Sequence, residues 1–159
     1  MFLNINFIKG LTAKGYGGAI WNNGTKNVTV INCIFEKNTA YRGGALFNVT
    51  AEKCTFISNI AVNNGGAIYG NSAVNCSFVN NKAIYDGGAI FGNSAVNCSF
   101  INNTAYRGGA ICLAKVINSS FDNNIANGYG GAIYRCSAQN CSIILIFFKP
   151  AGLIDGIIS

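Results

Sequence analysis

Seven cysteines, five carboxylates and no histidine are the side chains on which chemistry in this chain would draw. Five thiols, Cys33, Cys54, Cys76, Cys98 and Cys141, recur in steps of about 22 residues, with Ser119 in the remaining place. A zinc site needs ligands that converge on one point from spacings of about two to four residues. A column spread along the chain is a line instead, and it reads as small apolar core thiols. Neighbours in such a line approach bridging distance, but parallel Cβ vectors suit the disulfide torsion poorly. Cys112 and Cys136 stand outside the column and are expected to be the more exposed and reactive thiols, Cys112 occupying a place that aromatic residues fill elsewhere. Without histidine, Ser-His and Cys-His nucleophilic machinery is excluded within this polypeptide. The acids, Glu36, Glu52, Asp86, Asp122 and Asp155, are scattered. Glycosidases and polysaccharide lyases need paired carboxylates, or carboxylates with calcium and a base. Asp86 precedes a Gly-Gly turn and Asp122 follows a core phenylalanine, so the two are expected on different sides of the molecule. No catalytic group, metal site or cofactor is expected.

Binding is the chemistry better served by the residue types. Tyr41-Arg42, Asn63-Asn64, Tyr85-Asp86 and Tyr106-Arg107 recur just ahead of glycine pairs, with Gly15-Tyr16 and Gly128-Tyr129 at the ends of the series. Tyrosine and arginine on a rigid platform anchor protein interfaces or stack on sugars, which makes Tyr41, Arg42, Tyr85, Asp86, Tyr106 and Arg107 the candidate partner-binding set. The plainer reading is that Asp86 and Arg107 neutralise each other between adjacent turns, an exposed pair worth under about 1 kcal/mol. A second stripe, Trp21, Phe47, Tyr69, Phe91 and Tyr134, follows an aliphatic column by one residue. If that column is inside, the stripe is a docking surface; a local bend or covering segment would instead turn it inward.

The elements that position these residues are repeats. Gly-Gly-Ala followed by Ile or Leu starts at Gly17, Gly43, Gly65, Gly87, Gly108 and Gly130, at spacings of 26, 22, 22, 21 and 22. Phe-x-x-Asn keeps step at Phe35/Asn38, Phe56/Asn59, Phe78/Asn81, Phe100/Asn103 and Phe121/Asn124. A period near 22 indicates a solenoid. Residues 70–78 and 92–100 are identical, which fixes the register there. The phenylalanines and the thiols two places before them share one strand face, the core. Ile20, Leu46, Ile68, Ile90, Ile111 and Ile133 form a second inward column. The recurring asparagines are expected to stack as an amide ladder at an inner corner. The paired glycines serve a neighbouring corner, either by positive φ or by close backbone approach. The expectation is an all-β, right-handed parallel β-helix of about seven coils, each with three short strands in roughly 22 residues. The repeats run over 1–142. A degenerate apolar segment, 143–159, either caps the last coil over Phe147 to Ser159 or marks the break of a longer solenoid.

Bulk properties agree. Only 10% of residues are charged, against about 25% in an average soluble domain, and asparagine, glycine and serine supply the surface polarity. The net charge is +6, but the lysines are scattered and form no run that tracks a phosphate backbone, so no nucleic-acid partner is expected. The six-residue apolar run from Ile143 to Phe148 is far below the roughly 20 residues of a membrane-spanning helix, and no span is expected. No secretory signal follows Met1. Asn-x-Ser/Thr sequons at Asn23, Asn27, Asn48, Asn75 and Asn97 read mostly as accidents of an asparagine-rich repeat.

Six Gly-Gly-Ala-(Ile or Leu) and five Phe-x-x-Asn motifs between Asn4 and Ser142 resemble the repeats of chlamydial polymorphic outer membrane proteins and of adhesin-like surface proteins of methanogenic archaea. The resemblance implies a right-handed β-helix stalk or passenger displayed outside the cell and linked to adhesion, with glycans or surface proteins of a host or neighbouring cell as partners. Against the full-length pattern, an export signal, an anchor or translocating barrel and polar end caps are missing, so the chain is expected to be a piece of a longer surface protein. Its open coil ends would then favour end-to-end self-association. The function expected is a non-enzymatic adhesin or structural stalk whose avidity comes from repetition. The alternative is a carbohydrate-active β-helix enzyme of the pectate-lyase kind, or its inactive remnant. An ice-binding solenoid would need a flat Thr-x-Thr array that the sequence lacks.

Overall fold

Corners set the fold. A computed structural model of the protein describes residues 2–144, and nearly every coil in it carries four residues with left-handed backbone, one at each corner. In one coil these are Asn32, Lys37, Gly43 and Asn48, with φ of 53°, 55°, 60° and 54°. Asparagine fills most places at one corner and half of those at the next, because its short amide tolerates this conformation. Between corners the chain has room only for strands of a few residues, here Thr29–Ile31, Ile34–Glu36, Thr39–Arg42 and Leu46–Phe47. Each coil therefore holds four strands where three were expected. The short x-Ala segment after the ladder asparagine, bracketed by its own two corners, makes the additional one.

Successive coils pair in parallel and build four sheets, two of seven strands and two of six. About seven coils were expected, and the structure has six complete ones with part of another. No described residue is helical. Register follows the repeats: Phe56 pairs with Phe78, Phe78 with Phe100 and Phe100 with Phe121 in the second sheet, and Ile68, Ile90, Ile111 and Ile133 align in the fourth. The last described strand, Ser142–Ile144, sets Ile143 against Phe121, where another phenylalanine would stand. The expected cap over Phe147 to Ser159 lies outside the described residues.

The core is a set of columns. Phe7, Phe35, Phe56, Phe78, Phe100 and Phe121 stack with ring centroids 4.8–4.9 Å apart and planes within 8° of parallel. From Phe35 onward these rings are buried, as is the aliphatic column from Leu46. The asparagine ladder forms as expected: Asn81 Oδ1 accepts from the Asn59 backbone N–H at 3.0 Å and from Asn59 Nδ2 at 2.9 Å, while Asn81 Nδ2 donates to Phe56 O at 3.0 Å. The same pattern repeats at Asn59, Asn103 and Asn124, while Asn38, facing Gly10, accepts that glycine's N–H and donates to Phe7 O. The two glycine roles are divided. Gly87, the first of its pair, takes φ +63°, whereas a Cβ on Gly88 would collide with the Gly109 carbonyl oxygen of the next coil.

Candidate functional site

The third sheet places small residues inside and large ones outside. Its inward column is alanine, with Ala40, Ala61, Ala83 and Ala105 all buried. Strand alternation then turns the flanking residues to solvent: Ile60 is 42% exposed, Ile84 51%, Tyr106 48% and Ile125 57%. Leu11, Val62, Tyr85 and Tyr129 are exposed on the same side of the molecule. Most of the exposed large apolar side chains among the described residues therefore share one face. Sequence reasoning missed its aliphatic members, Ile60, Val62, Ile84 and Ile125. The available signal was the Asn-x-Ala phrase, because a buried alanine beside a buried asparagine corner forces its flanking residues outward.

This sheet runs directly into the Tyr-Arg corner. Along the corner Tyr16 pairs with Arg42, Asp86 with Arg107 and Arg107 with Tyr129, while Asn64 accepts the Gly43 N–H through its backbone carbonyl between Arg42 and Asp86. Tyr41, Tyr85 and Tyr106 precede Arg42, Asp86 and Arg107, so the six candidate residues lie along one edge. Asp86 is only 6% exposed. It accepts Arg107 Nε at 2.6 Å and Nη2 at 2.9 Å, a two-pronged fork, and its own N–H donates to Asn64 Oδ1 at 3.2 Å. Bidentate, charge-assisted pairs of this kind are among the strong hydrogen bonds. The bond to Asp86 raises the Arg107 pKa above its ordinary value. Arg42 has the same fork and no such acid. Its Nε is buried with no hydrogen-bond partner, and its guanidinium carbon lies 5.7 Å from the Tyr41 ring centroid and 5.5 Å from that of Tyr69.

The second stripe faces outward, next to the corner. Trp21 is 58% exposed, and Phe47, Tyr69, Phe91 and Tyr134 are half-buried. What buries them is mostly one another: Phe47 stacks on Tyr69 at 4.8 Å and 2°, and Tyr69 on Phe91 at 5.0 Å and 15°. Ring faces are thus paired along the axis and ring edges point to solvent. Tyr16 stacks on Phe47 at 4.6 Å, Tyr129 on Tyr134 at 6.0 Å, and Arg107 lies 5.7 Å over Tyr134. Corner and stripe form one continuous surface.

The thiols correct one expectation. Cys112 and Cys136 are buried, at 2% and 3% exposure. Cys112 is a small residue set in register between the larger rings of Phe91 and Tyr134, and Cys136 follows the left-handed corner at Arg135, which returns the chain to the core. Burial, the largest cause in each case, pushes the Cys112 thiol up to about 12 and raises Cys136. The main column is a hydrogen-bonded corner: Cys54 Sγ donates to Glu52 O at 3.1 Å and accepts the Cys33 N–H at 3.4 Å. Ser119 does the same for Ile117 O at 2.9 Å and the Cys98 N–H at 3.1 Å. Contact with Cys76 lowers the Cys54 and Cys98 thiols, and contact with Cys54 and then Cys98 raises Cys76. Over this corner runs a shallow groove of about 830 Å³, walled by Asn75, Asn97, Asn118, Asn140 and by Ser77, Ser99, Ser120, Ser142. Its amides and hydroxyls offer hydrogen bonds and no nucleophile–base pair.

Among the described residues the carboxylates lie apart, and Asp155 lies outside those residues. Glu36 and Asp122 project from the same sheet but four strands apart, Glu36 meeting Lys37 at 2.6 Å, Glu52 meeting Lys53 at 3.7 Å and Asp86 committed to Arg107. Among the described residues no group of Cys, Asp or Glu is arranged to hold a metal ion, and no helix is long and apolar enough to cross a membrane.

Comparison with known proteins matches the coils one by one. The Chlamydia polymorphic membrane protein repeat matches residues 32–49, 53–71, 75–93, 97–114 and 118–134, each match running from a left-handed asparagine or lysine corner through the Phe, Asn and Gly-Gly-Ala positions. No curated protein and no solved structure matches the chain. With more than half of its residues accounted for by five consecutive repeats whose defining side chains form the columns of the solenoid, the chain belongs to the Chlamydia polymorphic membrane protein repeat family.

Proposed function

We propose that this solenoid is an adhesive segment of a cell-surface protein, binding through the face formed by the third sheet and its Tyr-Arg corner. Repeats of this family are those of surface-associated, outer-membrane proteins and are non-enzymatic in general. The observation that carries the reading is the inverted third sheet, alanine inside and Ile60, Ile84, Tyr106 and Ile125 outside. Exposing large apolar residues costs solubility, and monomers rarely keep such a patch without a partner for it. Repetition sets the mechanism: equivalent weak contacts on successive coils add by effective concentration. The stiffness of paired coils keeps those contacts in register.

Binding of the purified chain to mammalian cells tests this, with a variant carrying Ile60→Thr, Ile84→Thr and Tyr106→Ser compared with one changed only at Leu113 and Ile34, on other faces. The face variant is expected to lose about tenfold or more in apparent affinity, since each interface anchor is worth over about 1 kcal/mol. The control is expected to bind as the parent does. A chain folded by circular dichroism that binds no cells would reduce this segment to a spacer.

A further inference from the structure

Two arginines stand on one corner in the same backbone setting, and one of them has an acid. Arg107 is clamped by Asp86 through Nε and Nη2. Arg42 sits in register beside Tyr16, its Nε–H buried and without a hydrogen-bond partner, and among the described residues it enters no ion pair. Guanidinium is charged at every accessible pH, and a desolvated, unmet donor on it is costly. The Tyr41 and Tyr69 rings, at 5.7 and 5.5 Å, hold it in place. We propose that Arg42 is the receptor for a side-chain carboxylate of a protein partner, an Asp or Glu flanked by apolar residues, seated end-on across the two Nη groups, because Nε is buried and Tyr16 holds the place in register that Asp86 takes beside Arg107. The proposal rests on the reading of this face as a contact surface.

The fork selects the carboxylate, because planar bidentate geometry matches it. The surroundings select protein over a sugar acid. Val62, whose N–H bonds to Ala40 O one coil away, is exposed along with Ile60 and Ile84, and aliphatic groups offer nothing to a hydroxyl-rich ring. The neighbouring aromatic faces are occupied by each other.

The test follows the arginine Nε–Hε resonances of the labelled chain during titration with acetyl-Leu-Glu-Leu-amide, its Gln counterpart, sodium glucuronate and sodium chloride. The Glu peptide is expected to move Arg42 saturably, together with the Val62 and Ile84 methyls, and to leave Arg107 in place. The Gln peptide should bind about tenfold more weakly, the worth of one charge-assisted bond. Asp86→Ala removes both acceptors of the Arg107 guanidinium and is expected to create a second responsive arginine, while Arg42→Gln abolishes the first response in a folded chain. An Arg42 resonance indifferent to the Glu peptide, or moved as strongly by chloride, overturns the proposal, and a stronger response to glucuronate reassigns the site to sugar acids. If face variants lose cell binding while Arg42→Gln keeps it, the carboxylate receptor fails and the contact face stands. If the face variants keep cell binding, the broader reading fails whatever Arg42 does.

Discussion

At the scale of single residues, burial decides what the polar and titratable groups do. Cys112 lies between larger rings and close to the Asp86–Arg107 pair; burial first, then the negative charge of Asp86, holds its thiol protonated up to about 12. A thiol whose pKa is raised on folding binds its proton more tightly in the native state, so stability is fully present below its unfolded value near 9 and falls as pH rises toward 12. The slope from one such group is at most about 1.4 kcal/mol per pH unit. Cys112→Ser removes that contribution: in urea titrations from pH 8.5 to about 10.5, the stability difference between parent and variant is expected to shrink steadily with pH. A constant difference would mean that the thiol ionises as readily in the native chain as in the unfolded one. Sequence reasoning placed Cys112 and Cys136 at the surface because both fall outside the thiol column. It could not see that a left-handed residue at Arg135 turns the following position inward, nor that a cysteine among aromatics is overhung by them. Asp86 shows the reverse: its pairing with Arg107 was legible from the repeat, but its burial, and with it the strength of the fork, depended on how the corner packs.

At the scale of the element, the asparagine corner is where one side chain serves two coils. Asn81 completes the Asn59 backbone and side-chain N–H groups and the Phe56 carbonyl. Asn81→Ala leaves those three buried groups unmet at about 1–3 kcal/mol each, a loss on the order of 3–9 kcal/mol. Urea unfolding reads the total, and hydrogen exchange is expected to show it first at the Asn59 amide; full protection there would contradict the ladder's role. This element was legible in the sequence because an asparagine three residues after a core phenylalanine, repeated coil after coil, has few other uses. The glycine pair was half-legible: both roles were in view, but only the backbone assigns positive φ to Gly87 and close approach to Gly88. The third sheet was not legible. Its segments read as turns because their outward residues vary, from Thr39 and Ile60 to Lys82, Thr104 and Ile125, and only the alanine between them recurs. A variable column leaves no period to count, yet it is the column a partner meets.

At the scale of the whole molecule, each coil touches only its neighbours, so stability should scale with the number of coil interfaces. The chain contains its own test of this, because residues 70–78 and 92–100 are identical. Deleting residues 71–92 joins Gly70 to Asn93 and removes one coil without altering any repeat position on either side of the junction. The shortened chain is expected to fold, with the same circular dichroism per residue and a lower urea midpoint, having lost one interface of the stack. A globular protein losing a central segment of that length would not fold, so an unfolded product would show that these coils cooperate as one core. The deletion also removes Asp86 and brings the coil of Arg107 against that of Asn64. Arg107 then stands on the opposite side of the Asn64 coil from Arg42, and like Arg42 it has no acid in register. If the corner works as a row of interchangeable places whose charge is set only by the coil above, the shortened protein should answer a carboxylate at two arginines where the parent answers at one. Function in such a rod is edited by deleting and duplicating coils, because the sequence of each corner is read against its neighbour and not against a distant core.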